Sequence, residues 1–255
     1  MALGPFTNGR NSLFPTWLHT LSWLALFVGL LSALIVLVDI VRHPQHMGIM
    51  NVVWPVTALF GTALMVTAYF RYGRAGSQEA MSRAKAEGQE MPGMRQPFPA
   101  VVGKGALHCG SGCMIGDLLA EWLAFFVPGV AVWFGWQWFF ADKIFAVWIL
   151  DFVFAFSLGV IFQYFAIAPM RGLSPGKGIV EALKADTLSL ISWQVGMYGL
   201  MALVQFWLFP HFFGGKAEVN TPEFWFAMQA AMIAGFVTAY PVNWWLIRAG
   251  IKEKM

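Results

Sequence analysis

WLHTLSWLALFVGLLSALIVLVDIV, residues 17–41, is a run of 25 residues whose only formal charge is Asp39, close to its end. A helix crosses the hydrocarbon core of a bilayer with roughly 20 apolar residues. The run is longer than the apolar core of a signal peptide, about 7–15 residues, and no small-residue cleavage site follows it. It reads as a retained span, and it sets the pattern for the rest of the chain.

Working outward, five more apolar runs occupy residues 47–70, 105–134, 144–170, 181–209 and 222–247. Hydrophobic residues make up 58% of the 255 and charged residues 11%, against about 25% charged in an ordinary soluble domain. The expected fold is all-α: one polytopic bundle of six transmembrane helices over residues 1–255, surrounded by lipid. Pro128-Gly129 should kink or end the third run. Gly172, Pro175, Gly176 and Gly178 mark a turn after the fourth. The hydrophilic stretch 71–104, rich in Gln, Glu, Arg and Gly, is expected as a basic loop with a short surface helix or a linker.

With six straight spans, all of the 16 Lys and Arg except Arg42, Lys143 and Lys216 fall on one side. The positive-inside rule puts that side, with the 71–104 loop and both termini, in the cytoplasm. The pI near 9.0 therefore reflects topology, and nucleic acid is not an expected partner. No nucleotide-binding loop appears, and no internal repeat supports an inverted-repeat transporter.

The chemistry gathers at the third run, in HCGSGCMIGDLLAE (108–121), which holds the chain's only cysteines. Cys109, Cys113, Asp117 and Glu121 recur every four residues, so a helix lays them along one slowly drifting face. Each step is about 6 Å along the axis. Intramembrane carboxylates default to a functional reading, because lipid tolerates them poorly without partners. His108, Cys109 and Cys113 form a donor set for a soft or borderline metal ion, Cu(I) or Zn(II) above all. Asp117 and Glu121 would continue the route as a proton or cation path, with Asp151 of the fourth span and Asp186 of the fifth as further candidates.

Met197 and Met201 are thioethers at helical spacing, matched by Met228 and Met232 on the last span. Thioethers bind Cu(I) but also simply fill cores. Three readings of the cysteines stay open. They bind and move a metal, exchange electrons or deliver metal to a partner, or pack against helices beside the small-residue pattern Gly112-x-x-x-Gly116. In the second reading a metallochaperone or metalloenzyme would be the partner.

The strings HCGSGCMIGD (108–117), FQYFAIAPMRGL (162–173), KADTLSL (184–190) and YPVNWWLIRAGIKEKM (240–255), with NVVWPVTALF (51–60), resemble an uncharacterised family of bacterial integral-membrane proteins classed as a domain of unknown function. The resemblance implies a helical bundle in the bacterial inner membrane and supplies no activity. The residues lead to transport of a soft metal, most readily copper, through the Cys/His site and the carboxylates. A membrane thiol oxidoreductase or assembly factor is the alternative.

Overall fold

The computed structural model describes residues 13–90, 92 and 96–253; Arg10, Arg95 and Lys254 of the topology argument lie outside these. The chain folds into α1 (Thr16–Arg42), α2 (Met50–Ala68), α3 (Gln78–Ala86), α4 (Phe98–Phe126), α5 (Gly129–Trp133), α6 (Lys143–Arg171), α7 (Pro175–Leu203), α8 (Phe209–Phe213) and α9 (Pro222–Arg248). Among the described residues there is no β-strand. Six helices are long and apolar enough to cross a membrane, with α2 counted through Gly76 and α7 through Phe213. The protein is a multi-pass, all-α membrane protein.

Local chemistry explains several ends. α4 stops at Phe126, just before Pro128-Gly129. The Asp142 side chain accepts from Ile144 N at 3.2 Å and caps α6, and Gly172 closes that helix in the left-handed region at φ 59°. Pro175 opens α7 at its first position, where its missing N–H is no loss. Within the 71–104 loop, the Ser77 side chain accepts from Ala80 N and starts α3, the short surface helix.

The second span departs from a straight rod. A helix running through Met50–Gly76 would hold its ends about 40 Å apart. Instead the chain entering it hydrogen-bonds the chain leaving it: His46 N donates to Gly76 O and Gln78 N to Pro44 O, both at 2.8 Å. The reversal occurs at Thr62, whose backbone sits at φ 48°, ψ −134°. On either side of it, Trp54 meets Tyr69 edge-on at 5.6 Å, and the Trp54 ring rests on Gly73, where a Cβ would lie 2.6 Å from it. The segment is a re-entrant hairpin. Carbonyls freed at such a break need a donor inside the bundle. Gln229 Nε2 of α9 supplies one to Leu59 O at 2.7 Å.

The hairpin changes the expected course of the chain, in which six full crossings bring the start of α1 and the finish of α9 to one end of the bundle. α1 runs parallel to α9: His19 Nδ1 lies 2.8 Å from Glu223 Oε1, and Gln229 Nε2 lies 3.4 Å from Ala25 O. Phe14 packs on Phe209 and Phe213, where α7 has finished. The far end of α1 meets the exit of the hairpin, with Tyr69 Oη donating to Asp39 Oδ2 at 2.8 Å and Arg74 at 3.3 Å from Asp39. The start of α1 and the finish of α9 therefore lie at opposite ends of the bundle. The basic bias survives, because Arg42 joins the basic end. Among the described residues only Lys143 and Lys216 stay at the other. Exposed Trp17, Trp133, Trp138 and Trp207 gather at that other end, as interfacial indoles do.

α4 is the axis. It packs on α2, α6, α7 and α9, while α1 packs chiefly on α2 and α9. Within α4 the apolar stretch is 61% buried by protein, against 22% in α1.

Candidate functional site

α4 can sit at the centre because its glycines let other helices touch its backbone. A Cβ at Gly112 would lie 2.9 Å from Gly159 N, and one at Gly116 would lie 2.5 Å from Ala155 N. Gly112-x-x-x-Gly116 thus meets Ala155-x-x-x-Gly159 of antiparallel α6, small residues against small residues. Gly110 receives the Trp193 ring of α7, which would stand 2.1 Å from an added Cβ. The packing reading is correct for the glycines and leaves the cysteines and carboxylates to be explained.

Cys109 and Cys113 are free thiols with no exposed surface. The electrostatic neighbours of Cys113 are Cys109, Asp117 and Asp186, so the thiol pair lies between two polar groups. Toward the basic end are His108, Gln163 and Asp186. His108 is fully buried, its ring edge against Phe162 at 6.2 Å, and among the described residues no partner meets either ring nitrogen in good hydrogen-bond geometry. Gln163 faces it from α6, its amide near the ring but short of good hydrogen-bond geometry. Asp186 pairs with Lys252 at 3.4 Å.

Toward the opposite end are Asp117, Glu121 and Asp151, which act on one another electrostatically. Asp117 and Asp151 are wholly buried, and among the described residues neither is in an ion pair. Gln194 of α7 faces Asp117, its amide near enough to act on the carboxylate but short of good hydrogen-bond geometry. Tyr198 stands beside the same group, its hydroxyl donating to Trp148 O at 2.9 Å. Glu121 reaches a cleft of about 200 Å³ at the end of the bundle, which Asp142, Lys143, Gln205 and Lys216 also line. Lys216 pairs with Asp142 there, and Lys143 donates to Ala124 O at 2.8 Å.

The structure therefore brings Asp117, Glu121 and Asp151 into one interior group and sets Asp186 on the other side of the thiols. Met197 and Met201 are fully buried in the apolar cluster that holds Cys109, Cys113, Met228 and Met232. Among the described residues, no group of three or more His, Cys, Asp and Glu side chains is placed to hold a metal ion together. His108, Cys109 and Cys113 are near one another along α4 without forming such a group.

Within this core, a family model for a domain of unknown function, DUF4396, matches residues 100–252. The chain belongs to the DUF4396 family. The match spans α4 to α9 and ends on Lys252, so it holds every polar residue of the interior named above. No curated protein and no solved structure matches the chain.

Sequence reasoning reached the α4 stripe through its spacing. It missed Gln194, whose only signal is an amide in mid-span, and the pairing of Lys252 with Asp186, since that lysine counted only as a topogenic charge.

Proposed function

We propose that this DUF4396 protein is a cation translocator of the bacterial inner membrane that carries a soft metal ion, Cu(I) foremost, along α4. The observation that carries the reading is the pair of buried carboxylates Asp117 and Asp151, which no cation among the described residues pairs with, joined by Glu121 to an open cleft. A carboxylate in such a place holds its charge only against a cation, or yields it to a proton. A chain with no use for that exchange would do better with apolar residues.

The sulfurs speak for the class of cation. Cu(I) accepts as few as two thiolates, so Cys109 and Cys113 satisfy it where a four-donor zinc site would be incomplete. Met197, Met201, Met228 and Met232 offer weaker soft donors nearby. The carboxylates are hard ligands and poor ones for Cu(I), so their part is to take up and release the coupled protons. The positive-inside rule assigns the basic end to the cytoplasm, which sets the start of α1 on the periplasmic side.

The test is the metal content of gently purified protein and Cu(I) flux in proteoliposomes. Wild type should retain copper and transport it, and Cys113→Ser should lose both. Equal copper content in wild type and a Cys109→Ser, Cys113→Ser double variant, with unchanged flux, would refute the reading.

A further inference from the structure

At the basic end the chain turns back into its own interior. α9 finishes at Arg248, and Gly250 takes a left-handed φ of 70°, which a Cβ would resist. Ile251 N and Lys252 N then both donate to Leu246 O, at 3.0 and 3.2 Å. This fold-back drives the Lys252 side chain, 0% exposed, between α4, α7 and α9. On the outside, Glu253 pairs with Arg171 at the end of α6 and holds the tail down.

The pocket that takes Lys252 is richer in acceptors than one ammonium requires. Nζ lies 3.4 Å from Asp186 Oδ1 and 3.4 Å from Ser189 Oγ. Asp186 Oδ2 and Asn243 Oδ1 are buried, and no donor among the described residues reaches them. Glycines on two sides make the room: Asp186 Oδ2 occupies the space over Gly159, and Lys252 Cε lies 3.8 Å from where a Gly105 Cβ would be. A lysine that served only to neutralise Asp186 would be expected to close on it at about 2.8 Å. Here the ammonium fits loosely in a carboxylate, hydroxyl and amide site, and Asp186 is in turn a neighbour of Cys113.

We propose that Asp186, Ser189 and Asn243 form a cation-binding site at the basic end, and that Lys252 is its tethered occupant, closing the interior until the Gly250–Glu253 tail swings out. The inference rests on the reading of the interior as a cation path. It adds the gate: a covalently attached ammonium keeps the position that a passing cation must take.

Accessibility tests the gate without relying on transport. A single reporter, Gly105→Cys, is placed in the full-length protein with Cys109→Ser and Cys113→Ser. The thiol is probed from the basic face with a small cationic thiosulfonate. A minor open state is typically populated at about 0.1–10%, so freeing the tail should speed labelling by about tenfold or more. Lys252→Ala is the direct variant. Arg171→Gln and Glu253→Gln loosen the latch from outside the interior, and they carry the test should Lys252→Ala fold poorly. Faster labelling in these variants supports the gate, and equal rates in folded protein overturn it. Cu(I) flux with the native cysteines separates the two proposals: fast labelling with no flux keeps the gate and sinks the metal-transport reading.

Discussion

α1 and α4 differ in opposite directions from what a water-soluble protein would teach. α1 is the most apolar of the six long helices and the least buried by protein; α4 is the least apolar and the most buried. In lipid, apolar surface gains nothing by turning inward, so the greasiest helix belongs outside. Polar groups and glycines need protein around them, so they collect on the axis. An ionisable residue buried on that axis is a functional candidate by default, because lipid tolerates it poorly.

The sharpest way to break the contrast is to add bulk to α4. Gly116→Leu drives a side chain into the Ala155 backbone, which cannot rotate away. We expect a loss of about 3 kcal/mol or more, seen as collapse of the thermal transition in detergent or as no folded protein. Wild-type stability in this variant would show that the α4–α6 contact is looser than described.

Reporter fusions test the other side of the contrast, the direction of α1. Reporters on the two termini should lie on opposite sides of the membrane, the C-terminal one in the cytoplasm. Both reporters on one side would mean that the 50–76 segment crosses fully.

Thr62 allows a smaller and opposite effect. A β-branched residue at positive φ is strained, and glycine is not. Thr62→Gly should raise stability by about 1 kcal/mol, read as a higher melting temperature. A drop would mean that the Thr62 side chain, and not the backbone turn, holds the hairpin. At the bottom of the scale, Leu30→Ala on the lipid-facing side of α1, 52% exposed to the surroundings, should shift stability by no more than about 0.5 kcal/mol. A large loss there would point to an unseen partner on that face.

Much of this contrast could be read in advance, for physical reasons. The apolar runs were legible because a bilayer imposes a length, and Pro128-Gly129 correctly ended α4. The α4 stripe was legible because spacing of four is local geometry. The reversal at Thr62 was not legible, since threonine carries no breaker signal and an apolar run of the right length reads as a crossing. What confronts the stripe was hidden for the same kind of reason. Asp151, Gln194 and Lys252 arrive from elements 30 to more than 130 residues away, and only packing decides which faces meet.

The central claim is that the buried acids of α4 serve passage and not architecture. Its most direct measurement is proton-coupled Cu(I) flux through Asp117→Asn in proteoliposomes, taken beside the melting temperature of the same protein. Asparagine is a neutral amide of nearly the same shape, still polar and still buried, so stability should stay within about 1 kcal/mol of wild type while flux falls to background. Flux at the wild-type rate in a folded Asp117→Asn protein would contradict the account.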